Sequence, residues 1–326
     1  MDILINISLL TFLAVTAIAI IRITNLFAVI MLFAIFSFLS ATLFMTMDAV
    51  DVALTEAAVG AGISTVLMLA TLALTKDHHE KQPDKNRHWL PLAVVLTTGA
   101  VLVYGTLDLP DFGDPTSAPQ THVAPHYIME AMRETGVPNI VTAVLASYRG
   151  FDTLGEVVVI FTAGIAVLLL LGGRREDPLD DGAKDKRVPQ NLVLRIVSKV
   201  VIPVIMLFAL YVQFHGDYGP GGGFQAGVIM SAAIILYSLV FGLGAAERII
   251  PKSVLMFLTS LGVLIFAGVG IQSLFLGGSY LNYSVLASSQ VAGQHIGILL
   301  VELGVGITVF AVMLTIFFAF AGRARP

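Results

Sequence analysis

Residues 3–46 read ILINISLLTFLAVTAIAIIRITNLFAVIMLFAIFSFLSATLFMT, and this stretch decides the fold class. Its only charged side chain is Arg22. About 20 apolar residues cross the roughly 30 Å of hydrocarbon in a bilayer. The stretch therefore holds two such lengths, joined at IRITN (21–25). Apolar and polar residues do not alternate along it, as they would in a membrane β-strand. A helix satisfies its backbone groups within one segment, so these runs are read as helices.

The same composition extends along the 326 residues. Hydrophobic residues make up 57% and charged residues 12%, about half the roughly 25% charged of a soluble domain. Mean hydropathy is +0.90. Too little polar surface remains to solvate a globule of this size. Apolar runs predict helices near 3–21, 25–46, 50–74, 89–106, 151–171, 192–214, 222–242, 251–276 and 292–319, an all-α polytopic membrane protein with about nine spans. With no cysteine, disulfides, thiolate metal sites and iron–sulfur ligation by this chain are excluded. The first run lacks a basic start and is followed by further spans, so no cleaved signal peptide is expected. The net charge of −4 is mild, and no nucleic-acid partner is expected.

Basic residues set the expected orientation. Arg22, Lys76, Lys81, Lys85, Arg87, Arg174, Arg175, Lys184, Lys186, Arg187, Arg195, Lys199, Arg248, Lys252, Arg323 and Arg325 follow odd-numbered spans, 16 of the 18 Lys and Arg. Only Arg133 and Arg149 fall on the other side. The positive-inside rule then places the N-terminus outside and the C-terminus in the cytoplasm. Hydrophilic loops divide the chain into three units: 1–75 with three helices, 89–171 with two helices around an external loop 107–150, and 192–326 with four. The charged linker GRREDPLDDGAKDKRVPQ (173–190) reads as a fusion joint.

A carboxylate inside a span costs a few kcal/mol on insertion scales and is by default a functional candidate. Glu56 lies in DAVDVALTEAAVGAGIST, where Ala53/Ala57 and Ala58/Gly62 have the spacing of close helix contacts. Ion handling is weighed there against a structural hydrogen bond. Asp48 and Asp51, near the same helix start, are read as capping residues. Glu156 lies in YRGFDTLGEVVVIF, three residues after Thr153, which is capping-box spacing; a cap and an ion-carrying group remain equally open. Glu302 lies in QHIGILLVELGVGI, too deep for a first-turn dipole to reach, and His295 shares its face. A His–Glu proton relay is weighed against a protonated buried Glu. The glycine-rich GDYGPGGGFQAG (216–227) lacks the Gly-Lys-Ser/Thr ending of a phosphate loop and reads as a tight turn, with Pro220 suited to a helix start. His78 and His79 are adjacent, do not share a helix face and read as solvated loop residues, so no metal site is expected. No catalytic constellation and no cofactor site are visible. These features fit a component of a transporter, a proton-translocating respiratory component or a structural scaffold.

The run SKVVIPVIMLFALYVQFHGDYGPGGGFQAGVIMSAAIILY (198–237) resembles the B subunit of Mrp-type multisubunit Na+/H+ antiporters, through the pattern from Phe214 to Gln225. Residues 1–75, with MDAVDVALTEAAVGAG, resemble a three-helix unit at the end of that complex's largest subunit. In membrane-bound hydrogenases this unit is a small separate protein, the D-type component. The block with YRGFDTLGEVVVIF resembles the adjoining two-helix unit, the E-type component. Together the two units are similar to a five-helix membrane subunit of respiratory complex I. The resemblance implies a multi-pass subunit in the cell inner (plasma) membrane, surrounded by lipid. Its implied partners are other antiporter subunits, including proton-pumping complex I-like ones, and its implied cargo is Na+ and H+. It implies no enzymatic activity. Glu156 matches the family's acidic residue in GFDTLGE. In the large-subunit version a Gln stands near position 56 and a carboxylate one turn later, where this chain has Gly60. Glu56 can replace that carboxylate from the same face. Phe214, Pro220 and Phe224 match the antiporter pattern with an implied structural role at the turn. A hydrogenase-like or ferredoxin-linked ion pump uses the same units and is the alternative; a non-transporting scaffold is the third.

Overall fold

The computed structural model describes residues 2–74, 89–111, 113–171 and 192–323. The pair His78–His79 and the linker 173–190 lie outside these residues. Nine helices among the described residues are long and apolar enough to cross a membrane, and no β-strand is present among them. The chain is a multi-pass helical membrane protein.

Helices α1 (Asp2–Arg22) and α2 (Leu26–Thr46) pack on each other. The Asn25 side chain caps α2 by accepting from the Ala28 N–H at 3.1 Å. At the far end the Thr46 hydroxyl donates to Asn6 Oδ1 at 2.8 Å, which fixes the two helices antiparallel. The third span has three parts: α3 (Val50–Glu56), a π-helical segment Ala57–Ser64, and α4 (Thr65–Leu74). Helix α5 (Trp89–Thr106) has no buried residue.

The segment expected as an external loop, 107–150, is partly helical. It holds α6 (Ala124–Thr135), the single turn α7 (Ile140–Thr142) and a π-helical turn Ala143–Tyr148. Helix α6 is amphipathic: it buries Ala131 and Thr135 and exposes Ile128, Met129 and Met132. Gly136, at φ 73°, ends it in the left-handed conformation of a C-cap. Gln290 donates to the Glu134 carbonyl at 3.2 Å, so the segment lies over the start of the last helix.

The remaining helices are α8 (Gly150–Leu171), α9 (Leu192–His215), α10 (Gly223–Phe241), the short α11 (Leu243–Ile249), α12 (Lys252–Phe275) and α13 (Gln290–Arg323). Helix α13 is the axis of the molecule, packed by α12, α10, α8 and α4. Ile298, Val301, Val309, Val312, Leu314 and Phe317 on it are almost wholly buried. Its 34 residues span about 51 Å at helical rise, so it projects beyond the hydrocarbon. Helix α10 crosses it closely, because a Cβ at Gly227 would stand 2.6 Å from the Gly306 carbonyl oxygen. The span boundaries agree with the apolar runs to within a few residues, and α13 starts two residues earlier and ends four later than expected.

Candidate functional site

The turn between α9 and α10, residues 216–222, is the centre of the polar structure. Gly222 has φ 111° and ψ −177°, a region open almost only to glycine. It ends the turn and places Gly223 as the first residue of α10, so Pro220 stands in the turn rather than at the helix start expected for it. The Glu302 carboxyl lies against this turn: its Oε1 is 3.1 Å and 3.3 Å from where a Cβ would stand at Gly222 and Gly216. A Cβ at either position would crowd the carboxyl, which would have to give by a few tenths of an ångström. Two further carboxylates, Asp217 and Asp51, are near enough to interact electrostatically with Glu302.

Asp51 is not a cap. The N-cap of α3 is Ala49, with no side-chain bond. Asp51 Oδ1 instead accepts from the Gly221 N–H at 3.3 Å and faces Asn139 Nδ2 at 3.5 Å, reaching across to the turn. Its position at a helix start suggested local capping; the nearby donors of the turn draw it outward. Asp48 lies between α2 and α3 at φ 58° and supplies no cap to α3 either.

His295 and Glu302 are not joined directly. His295 Nδ1 lies 3.4 Å from Asp217 Oδ2. The grouping is His295–Asp217 beside Glu302, with Asp51 reaching the turn from the third span. Sequence reading missed Asp217, Asn139 and Thr142. The first sits inside the FHGDYGPGGGF run, and the second has a helix-start signal in VPNIVT that points only to local structure.

A polar bridge leaves this group. Gln225 Oε1 is 3.8 Å from the Cβ position of Gly222, and its Nε2 donates to the Thr55 hydroxyl at 2.7 Å. Thr55 in turn donates to the Asp51 carbonyl at 2.9 Å. Gln225 is 8% exposed, and this bond gives its amide a partner in the third span. Glu56 follows Thr55 but turns toward α2. A Cβ at Gly60 would meet Glu56 Oε1 at 2.5 Å and the buried Ser37 hydroxyl at 2.7 Å. The Glu56 carboxyl thus fills the space above Gly60, at the start of the π-helical segment. Of the other motif residues, Phe224 packs on the core, whereas Phe214 is 62% exposed and does not pack in the turn.

Glu156 stands apart. Helix α8 begins at Gly150, so Thr153 is already inside it, and the Thr153 hydroxyl donates to the Leu145 carbonyl at 2.7 Å. The capping box does not form. Asp152 pairs with Arg149 at 2.6 Å. Glu156 is exposed on the surface of the chain and has no hydrogen-bond or ion-pair partner among the described residues. No group of three His, Cys, Asp or Glu side chains could hold a metal ion among the described residues.

At the end of the bundle a cavity of about 310 Å³ is lined by Glu134, Ser147, Tyr148, Asn282, Gln290 and Gln294. The Tyr148 hydroxyl donates to Glu134. Burial first, and then the Glu134 carboxylate, raise the Tyr148 pKa, so the hydroxyl stays protonated.

Comparison with known proteins fits this architecture. The family model described as a domain related to the MnhB subunit of Na+/H+ antiporters matches residues 193–315. A putative antiporter subunit mnhB2 of Staphylococcus haemolyticus (strain JCSC1435) is 34% identical over 139 residues, 40% of this chain and 95% of that protein. The chain belongs to the MnhB family of antiporter subunits. The models for the D and E subunits of MBH match residues 11–77 and 87–187 respectively. The MnhB-related region therefore follows stretches similar to two further membrane subunits. A probable K(+)/H(+) antiporter A/B subunit of Rhizobium meliloti (strain 1021) is 28% identical over 228 residues, covering 63% of this chain; the chain spans 23% of that protein's length. A chain of the Mrp complex from Dietzia sp. DQ12-45-1b superposes with a TM-score of 0.75 at 26% identity, over 98% of this chain and 35% of the other. A chain of the membrane-bound sulfane sulfur reductase, an archaeal respiratory membrane complex, superposes at 0.52 and 28% identity, over 71% of this chain and 96% of that one.

Proposed function

We propose that the chain is a membrane subunit of an Mrp-type antiporter that exchanges a monovalent cation, Na+ in the first instance, for protons, and is not an enzyme. One observation carries the reading: in a chain of the MnhB family, the Glu302 carboxyl faces a glycine turn with Asp217 and Asp51 close by. A carboxylate in a membrane interior carries a proton or gives it up to a cation. Competition of the two for one oxygen site is the simplest chemistry of exchange. In this reading Glu302 acts at the glycine turn and Glu56 at the Ser37–Gly60 space of the third span, whose neighbouring residue Thr55 is tied to α10 by Gln225. Glu156, exposed on an apolar span, meets a neighbouring subunit. His295 and Asp217 form the branch by which protons reach Glu302. The units 1–75, 89–171 and 192–326 act as fused equivalents of separate subunits. The partners are other antiporter subunits, including complex I-like ones, in the plasma membrane, with the N-terminus outside.

The match to a component of an archaeal respiratory membrane complex, together with the two models of MBH subunits, favours a second reading: an ion-pumping subunit of a redox-driven complex. Purifying the complex through this chain separates the two. Antiporter subunits and cation-dependent proton flux in reconstituted vesicles support the first reading. Hydrogenase-like or iron–sulfur subunits support the second and overturn the first.

A further inference from the structure

The segment before α8 holds the turn that faces Glu302. Asn139 is the N-cap of α7: its Oδ1 accepts from the Val141 N–H at 3.0 Å. Its Nδ2 points the other way, to the Gly219 carbonyl at 2.9 Å and the Gly216 carbonyl at 3.1 Å, with Asp51 Oδ1 at 3.5 Å. The amide orientation is fixed by these partners, because the flipped form would set an oxygen against three acceptors. Its backbone N–H donates to the Asp217 carbonyl at 3.0 Å. One turn on, the buried Thr142 hydroxyl donates to Gly216 O at 2.7 Å. These contacts grip the turn at 216, 217 and 219, while the Glu302 carboxyl lies over 216 and 222.

We propose that Asn139 is a positioning residue: its carboxamide fixes the glycine turn, and with it the seat of the Glu302 carboxyl, from outside the MnhB-like unit. The proposal deepens the antiport reading and takes Glu302 from it. The turn has seven residues, four of them glycine, and glycine has the most conformational freedom to lose. Its carbonyls at 216 and 219 need donors, and Asn139 supplies both from another part of the chain. The bonds to Asp51 and from Gly221 close the ring by tying the third span to the same turn. Three stretches of chain therefore meet at one side chain.

Asp is the discriminating substitution. Asn139→Asp keeps the N-cap, since Asp caps as well as Asn. It removes the donor and sets a carboxylate against two carbonyls and Asp51. A residue that only capped α7 would tolerate it. The test uses the complex purified through this chain. Each hydrogen bond lost is worth about 1 kcal/mol net, roughly fivefold in an equilibrium, and the substitution removes the amide's bonds to both Gly216 and Gly219. Asn139→Asp is therefore expected to speed amide hydrogen exchange across 216–222 by about fivefold or more, with α12 and the rest of α13 unchanged. In vesicles its apparent KM for Na+ should rise by about the same factor, with the maximal rate per assembled complex within about twofold of the parent. Asn139→Ser, which caps and keeps one donor, should fall between parent and Asp. Thr142→Val should loosen the turn in the same direction, and these two variants carry the test if the Asp variant does not assemble. Unchanged amide exchange in the turn overturns the proposal whether or not the complex transports. A loosened turn with an unchanged KM overturns it too, by severing the turn from the Glu302 site. A parent complex with no cation-dependent flux sinks the antiport reading instead, and amide exchange still decides the clamp.

Discussion

At Glu156 the structure removes the capping reading, which the residues alone left level with ion handling and the family resemblance set below it. A capping glutamate would reach back to Thr153, but the Thr153 hydroxyl is bound to Leu145 and the helix has begun at Gly150. Gln would serve in a capping box, so the substitution now tests ion handling cleanly. Glu156→Gln is expected to leave assembly intact, measured by co-purification, and to lower exchange by at least about tenfold, the scale of one charge-assisted interaction with the transported ion. Exchange at the parent rate would remove Glu156 from the path. Glu56 is governed by space. Its carboxyl occupies the position a side chain at Gly60 would take. Glu56→Gln combined with Gly60→Glu crowds that space twice, and is expected to fail even if charge on this face is what matters. The swap Glu56→Gly with Gly60→Glu moves the carboxylate one turn along the same face. It is expected to recover part of the exchange lost in Glu56→Gln. No recovery in assembled complex would mean that the carboxyl must stand at position 56 itself. The sequence marked Glu56, Glu156 and Glu302 because charge in an apolar run is conspicuous. It concealed Asp51 because an acidic residue at a helix start has a sufficient local explanation. It concealed Asp217 because a carboxylate in a glycine-rich loop has none of the cost that marks one inside a span.

The elements differ in how plainly the sequence marks them, for physical reasons. Apolar runs of about 20 residues announce spans whatever they pack against, and all nine were legible. The segment 107–150 was not, because its helices are short and mixed in polarity and take their place from α13 and the glycine turn. The π-helical segment Ala57–Ser64 has no sequence signature either; its composition is that of an ordinary small-residue helix face. The turn 216–222 was recognised as a turn, but its role as the floor of a carboxylate site depends on α13 lying across it. Gly222 is where the element is most fragile. Its backbone conformation costs a residue with a side chain about 1–3 kcal/mol, and a Cβ there would press on the Glu302 carboxyl. Gly222→Ala is expected to lower the thermal stability of the purified complex and to cut exchange further than the lost stability explains. An unchanged melting profile would show that the turn can relax without cost.

At the scale of the molecule, α13 holds the bundle together while much of the rest is bare. Helix α5 buries none of its residues, and α1 exposes apolar side chains along its length. Faces of this kind are covered by lipid or by neighbouring subunits. The chain spans about a third of the length of the Mrp-complex chain it superposes on. Of the carboxylates in the proposed path, Glu302 and Glu56 lie against glycines within the chain, whereas Glu156 is exposed on an apolar span. Vesicles with this chain alone are therefore expected to show no cation-dependent proton flux, and clear flux would refute its dependence on partners. The orientation proposed, with the N-terminus outside, rests on the basic residues, 16 of 18 of which follow odd-numbered spans. Single cysteines at positions 114 and 184 are expected to label from opposite sides, 114 from outside; labelling from one side would overturn the topology. Glu302 is the group on which the proposed exchange depends. Glu302→Gln preserves shape and hydrogen bonding but cannot ionise. The decisive measurement is cation-dependent proton flux in vesicles holding the fully assembled complex with this substitution. Flux is expected to fall to background while the subunit composition is unchanged; flux at the parent rate in that same assembled complex would show that exchange does not run through Glu302.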